Sequence, residues 1–215
     1  MNAREKYARE EVARDYERRR FRGLRGSTLD RRERAALVRA LARAPGSGGV
    51  VLDVPCGTGR FLGTLAGAGF RPVGADTSRA MIERSPRDLD GLGLVRADAG
   101  CLPVRTASVA GAVCVRLMHH LSHPERVAVL RELARVARRF AVVNYYHRHS
   151  FKNLLRTAGA RLRGSPSRAR NRLTRGEIET EVGLAGLRVV EIFPVTRFWS
   201  ERLMVLAEPR PTEPR

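Results

Sequence analysis

The chain reads as an α/β domain: a mostly parallel sheet with helices on both faces, finished by an antiparallel hairpin. Three observations predict this. Val50-Val51-Leu52-Asp53-Val54 is a continuous apolar run, as a strand covered on both faces requires. Similar runs alternate with helix-like segments from Gly49 to Tyr146, the pattern of right-handed βαβ units. Near the end, two apolar runs follow one another with no crossover helix between them, and so must pair antiparallel.

Taken in order, residues 1–22 alternate in charge, with Glu5/Arg9, Glu10/Arg14 and Asp15/Arg19 spaced i, i+4 in the favourable sense, while Ala8, Val12 and Tyr16 share a face. The segment is either a solvated helix on the sheet edge or a lid that closes Tyr7, Tyr16 or Phe21 over a ligand. Residues 29–44 predict a second helix, with Asp30 and Glu33 near its start, Leu37, Val38 and Leu41 inward, and Pro45-Gly46 ending it. Residues 1–45 are therefore assigned to an N-terminal helical lid or cap, and 46–210 to the main domain. In that domain the expected elements are strands at 50–54, 72–76, 92–97, 109–115 and 140–146, and helices near 59–68, 78–85 and 123–138. Ser122-x-x-Glu125 is a capping box for the last of these helices, with Pro124 in its first turn and Val127, Leu130, Ala134 and Ala137 toward the sheet. Thr174-x-x-Glu177 is a second box, opening a helix to Leu184 before strands at 188–193 and 204–208. Phe198 and Trp199 lie in the connection between those strands and are expected to pack across the hairpin.

The first strand ends on Asp53 and runs into Pro55-Cys56-Gly57-Thr58-Gly59. Glycines there let the backbone approach a ligand, and the helix that follows offers free N–H groups. Ligands of open α/β sheets sit at that end of the strands. The next strand ends on Asp76, at about the spacing from which a carboxylate reaches ribose hydroxyls. A nucleotide-like cofactor is the expected occupant.

These residues resemble the class I S-adenosylmethionine-dependent methyltransferases, whose first motif is Asp/Glu-x-Gly-x-Gly-x-Gly. Here it is Asp53-x-Pro55-x-Gly57-x-Gly59, with Pro55 replacing the first glycine, removing an N–H donor and leaving a carbonyl for contact. The resemblance continues through Asp76, Val95-Arg96-Ala97-Asp98-Ala99, the run Val109 to Val115, and Leu117-Met118-His119-His120-Leu121, covering about residues 46 to 208. Within the family the chain looks most like the group that includes the ubiquinone and menaquinone biosynthetic methyltransferases. The resemblance implies a Rossmann-like sheet of seven strands, mostly parallel with an antiparallel terminal hairpin, and S-adenosylmethionine as cofactor. It also implies roles: Asp53, Gly57 and Gly59 for the methionine part, Asp76 for the ribose, Asp98 for the adenine amino group. Pro55, Cys56, Thr77 and Ala99 complete the expected cofactor contacts, and Arg116 points toward the cofactor or an acidic acceptor.

Methyl transfer from a sulfonium asks mainly for an acceptor held in line, and for a base only if the acceptor is protonated. His119, His120 and His123 follow the fourth strand, and His119 is the candidate catalytic residue; the alternative is imidazoles that pack or cap. Tyr145, Tyr146 and His147 end the next strand on the same rim, as acceptor contacts or a plain edge cluster. No metal is expected, because His-His-x-x-His lacks a supporting carboxylate pair. A dinucleotide oxidoreductase is the competing enzyme class. Gly57, Gly59 and Gly63 miss the Gly-x-Gly-x-x-Gly spacing by one residue, and neither lysine follows a tyrosine as in Tyr-x-x-x-Lys.

The 215 residues suit one domain, which buries about 70 % of its unfolded surface. Cys56, Cys101 and Cys114 show neither paired metal spacing nor a disulfide framework, which fits a reducing cytoplasm. The first six residues include Arg4, Glu5 and Lys6 rather than an apolar stretch, and no run approaches the ~18 apolar residues of a membrane span. The net charge of +19, from 41 basic and 22 acidic residues, suggests an anionic partner. Arginine-rich codon bias is the competing account, since Lys6 and Lys152 are the only lysines. The insert at 147–175 carries Arg148, Lys152, Arg156, Arg161, Arg163, Arg168, Arg170, Arg172 and Arg175 with no acid before Glu177, either as a cationic surface for an anionic acceptor or lipid head groups, or as a solvated loop. The function expected is methyl transfer to a small or lipid-linked, anionic acceptor. An RNA methyltransferase and a non-catalytic cofactor-binding adaptor are the alternatives.

Overall fold

The computed structural model describes residues 24–85, 93–148, 171–196 and 200–210. The segment 1–22 with its lid reading, most of the basic insert, and Phe198 and Trp199 lie outside the described residues. In chain order the elements are α1 (Leu24–Arg43), β1 (Val50–Asp53), α2 (Leu62–Gly67), β2 (Arg71–Asp76), α3 (Arg79–Ile82), β3 (Gly93–Arg96) and β4 (Val109–Cys114). A 3-10 turn (Met118–His120), α4 (His123–Val136), β5 (Ala137–Tyr146), α5 (Arg175–Leu184), β6 (Leu187–Pro194) and β7 (Arg202–Pro209) follow.

The seven strands form one sheet in the order β3-β2-β1-β4-β5-β7-β6. The first five are mutually parallel, and β7 runs antiparallel to both β5 and β6. The last strand of the chain thus inserts inside the sheet and β6 takes the edge. The burial of the two strands accounts for this: β7 is buried from Leu203 to Ala207, whereas β6 exposes Arg188, Val190 and Glu191. A strand apolar on both sides belongs inside, and a half-polar one tolerates an edge.

Strand alternation splits the core in two. Leu52, Val143 and Val205 face a cluster completed by Leu130 and Leu133 of α4 and Ile178 of α5. Val51, Val142 and Leu206 face another, with Leu37 and Leu41 of α1, Leu65 of α2, and Phe70 and Phe140. Each such buried side chain contributes about 1.5–3 kcal/mol. Gly111 of β4 lies against the Phe140 ring, whose nearest atom is 2.3 Å from where a Cβ would stand, so β4 and that ring require glycine there.

Three sequence expectations are corrected. Helix α4 stops at Val136 rather than 138, and β5 starts at Ala137, because Ala137 pairs with Val109 and the β ladder captures the end of the helix. Val38 of α1 is exposed: the buried stripe is Glu33, Ala36, Leu37, Ala40 and Leu41, one face of a 3.6-residue period that excludes position 38. Tyr145 points into the α4/α5 core while its neighbour Tyr146 goes to the opposite side, so only one of the pair reaches the rim.

Candidate active site

In the order β3-β2-β1-β4-β5 the chain reverses direction across the sheet between β1 and β4, and a crevice opens there beyond the strands' carboxyl ends. A solvent-open cavity occupies this place, where ligands of such sheets sit. The loop after β1 forms its floor. The Val54–Pro55 peptide is cis, Gly57 and Gly59 have φ of 56° and 75°, and nothing lies within 4 Å of where a Cβ on Gly57 would stand. A side chain at Gly57 would both strain the loop and fill the cradle.

Asp76, at the end of β2, ties this floor down. Its carboxylate accepts from the N–H of Gly57 (2.9 Å) and of Ser78 (2.8 Å). Burial raises its pKa, opposed by those backbone donors. Asp98 follows β3 and accepts from the Gly100 N–H at 2.9 Å. Both carboxylates face the cavity, with Thr77 and Ala99 beside them. Asp53 is different: it is 0 % exposed, stays behind the cavity wall, and neither of its oxygens meets a hydrogen-bond donor among the described residues. Burial pushes its pKa up to about 8, with Arg60 pulling down and Asp76 pushing up. A buried acid without donors under a glycine cradle, flanked by two cavity carboxylates, fits a nucleoside cofactor with a cationic group near Asp53.

The β4/β5 side of the cavity has the opposite character. Arg60, Arg116, His119, His120 and Tyr146 line it, among the apolar Val115, Leu117 and Leu121. His119 is 5 % exposed, its ring 3.9 Å from that of His120 and 4.4 Å from that of Tyr146. Of the candidate residues, Pro55, Cys56, Gly57, Asp76, Thr77, Asp98, Ala99, Arg116 and His119 all line one cavity, and Asp53 and Gly59 do not. His123 turns away, with Nδ1 2.7 Å from Glu181, and His147 pairs with Leu173 instead of lining the cavity. Among the described residues no cluster of His, Cys, Asp and Glu is placed to hold a metal ion, and no helix is long and apolar enough to cross a membrane.

Two ion clusters escaped the sequence reading. Glu33, expected near the start of a helix, is 0 % exposed and pairs with Arg60, with Arg116 at 3.1 Å and with Arg202 at 3.5 Å. Burial would raise its pKa, but the guanidiniums of Arg116, Arg60 and Arg202 outweigh that and hold the carboxyl below its ordinary range. The signal for Glu33 was its place on the apolar stripe of α1; its partners, from 27 to 169 positions away, left none. In the second cluster Arg126 of α4 donates to Glu181 of α5 at 2.9 Å and to the Leu121 carbonyl at 2.8 Å. Asn171 also donates to the Leu121 carbonyl, so both anchor the segment that follows the histidine turn.

Residues 51–139 match a family model described as a methyltransferase domain. Over 93 residues the chain is 34% identical to the tRNA (carboxymethyluridine(34)-5-O)-methyltransferase ALKBH8 of Mus musculus, 43% of this chain and 13% of that protein. Over 111 residues it is 33% identical to an uncharacterized 37.1 kDa protein in transposon TN4556 of Streptomyces fradiae, 49% of this chain and 31% of that protein. The chain thus aligns with less than a third of the length of these curated relatives. In structure it is similar to the magnesium protoporphyrin IX methyltransferase of Synechocystis PCC 6803, solved with bound SAH, at a TM-score of 0.78, 17% identity, and coverage of 96% of this chain and 97% of that one. The fold and the match over β1 to β5 agree: residues 51–139 carry a methyltransferase domain, with S-adenosylmethionine as its cofactor.

Proposed function

We propose that the domain transfers the methyl group to a small or lipid-linked anionic acceptor seated at the β4/β5 side of the cavity. The observation that carries this is the division of charge across one crevice: Asp76 and Asp98 at the β2/β3 side, Arg60 and Arg116 at the other. When bound, the cofactor supplies an electrophilic methyl on a sulfonium. The chain supplies position. In this reading Asp76 holds the ribose hydroxyls, Asp98 the adenine amino group, and the Pro55–Gly59 backbone with Asp53 the methionine end, while Thr77 and Ala99 flank the nucleoside. Arg116 steers the acceptor's charge, and His119 packs against the acceptor and takes a proton if the acceptor carries one.

The test is thermal stability with S-adenosylhomocysteine, with NADPH as control. Ligand at about 100 times its dissociation constant adds roughly 2.7 kcal/mol to the native state. Asp76→Ala is expected to weaken S-adenosylhomocysteine by about 1–3 kcal/mol, since a charged acceptor is lost and the Gly57 N–H is left unpaired. A shift with NADPH instead, or equal affinity in the variant, refutes the assignment.

A second reading is an RNA acceptor, favoured by the net charge of +19 and by the curated relative whose name specifies a tRNA nucleoside. Salt-dependent RNA binding, with log affinity falling linearly against log salt, separates the two.

A further inference from the structure

Resting on that reading and deepening it, we propose that Asp53 is a proton-coupled counter-ion for the cofactor: it is protonated in the ligand-free protein and loses that proton to solvent when the cofactor's ammonium group enters the cradle beside it.

The sheet sets out three carboxylates in a row. Asp98 follows β3, Asp76 ends β2 and Asp53 ends β1, on three neighbouring parallel strands with β2 in the middle. Adjacent strands lie about 4.8 Å apart, so the row spans about 10 Å, the scale of a nucleoside and the chain attached to it. With the adenine at Asp98 and the ribose at Asp76, Asp53 is the carboxylate left for the amino-acid end.

The three acids differ in what holds them. Asp76 accepts from two backbone N–H groups and Asp98 from one. Asp53 accepts from none among the described residues, although a turn of backbone follows it directly. The N–H groups of that turn are committed elsewhere. That of Val54 goes to the Val113 carbonyl at 2.9 Å, that of Cys56 to the Ala75 carbonyl at 2.8 Å, that of Gly57 to Asp76, and that of Gly59 to the Cys56 carbonyl at 3.0 Å. Pro55 has none to give. The backbone that could have solvated an ionised Asp53 is thus turned away from it, and the residue is 0 % exposed.

An acid so placed keeps its proton until a positive charge arrives. The groups around it do not supply enough of one. Burial is the dominant influence; Arg60 pulls the other way but also pairs with Glu33 and Asp30, and Asp76 on β2 adds negative charge. Burial also pushes up the thiols of Cys56 in the turn and Cys114 on β4, so both stay neutral. The balance leaves Asp53 pushed up to about 8. Asp53 ionises when an ammonium group comes within reach, because an opposite charge favours the carboxylate. Its proton passes to bulk water and no covalent bond to carbon or sulfur changes. The coupling is reciprocal: raising the pH, which removes the proton in advance, tightens the cofactor.

The test is isothermal titration calorimetry of the full chain with S-adenosylhomocysteine at pH 7, in three buffers of different ionisation enthalpy, whose slope counts the protons exchanged. Release of about 0.9 proton per ligand is expected, and the affinity should tighten roughly ten-fold between about pH 6 and pH 7. Asp53→Asn should remove both the released proton and the pH dependence. A second arm needs no variant: 5′-methylthioadenosine keeps the nucleoside and the thioether but lacks the ammonium group, and wild type should bind it without releasing a proton. Binding of S-adenosylhomocysteine with no proton release, the same release from Asp53→Asn, or the same release with 5′-methylthioadenosine overturns the proposal. A wild-type protein that binds neither nucleoside sinks the wider methyltransferase reading too, whereas S-adenosylhomocysteine bound without proton release leaves that reading standing.

Discussion

Asp53 makes the protein's stability depend on pH in a direction opposite to that of an ordinary paired carboxylate. It is wholly buried, finds no donor among the described residues, and is pushed up to about 8 by burial. An unfolded aspartate titrates near 3.9. Between those values the native state keeps a proton that the unfolded chain has lost. Stability is therefore fully present below about pH 4 and is lost progressively as pH rises to about 8, after which both states are ionised. Each pH unit in which only the native state holds the proton costs about 1.4 kcal/mol. Since that proton is half lost at about pH 8, the interval from about pH 6 to pH 8 costs about 2 kcal/mol. Asp53→Asn replaces the protonated acid by an amide of the same shape that does not ionise. Urea unfolding of the ligand-free proteins at the two ends of this interval, with m-values checked for equality, isolates the effect as the difference between wild type and variant. Wild type should lose about 2 kcal/mol more than the variant on going up in pH. Parallel curves would mean that Asp53 is ionised in the native state, and the burial argument would fail.

Glu181→Ala leaves the guanidinium of Arg126 buried without its carboxylate, which should cost about 3–5 kcal/mol in denaturant unfolding; a loss below about 1 kcal/mol would show that water or the Leu121 carbonyl satisfies Arg126 by itself. His119→Gln separates positioning from proton transfer: with an ionised acceptor, turnover should stay within about ten-fold of wild type and the rate profile should show no histidine limb, whereas a loss of about 10²–10⁴ would make His119 a general base.

Much of the cofactor half of the site was legible because its determinants are local. Val50 to Asp53 reads as a doubly covered strand, and the loop that follows needs positive φ at Gly57 and Gly59, which favours glycine at those positions in the sequence itself. Asp76 and Asp98 sit one βα unit apart along a parallel sheet, so their convergence follows from the repeat. Capping boxes are four-residue patterns, and Glu125 and Glu177 accept from the Ser122 and Thr174 N–H groups at the predicted places. The arginine half was less legible. Glu33 is read from sequence as one more acid in a charged helix, and only its burial shows otherwise. Tyr145 and Tyr146 look equivalent in the chain and part company because successive strand residues face opposite ways.

What the sequence determined by itself is whatever depends on neighbours a few residues away: the order of strands and helices, the glycine-bearing loop after the first strand, and the acids at the strand ends. The tertiary structure decided which residues share an environment across long separations. It brought Glu33, Arg60, Arg116 and Arg202 onto one wall, put β7 inside the sheet, and buried Asp53 beyond the reach of donors among the described residues. Charge and desolvation act through distance in space, which sequence separation does not encode, so the arginine side of the cavity emerges only once the chain is folded.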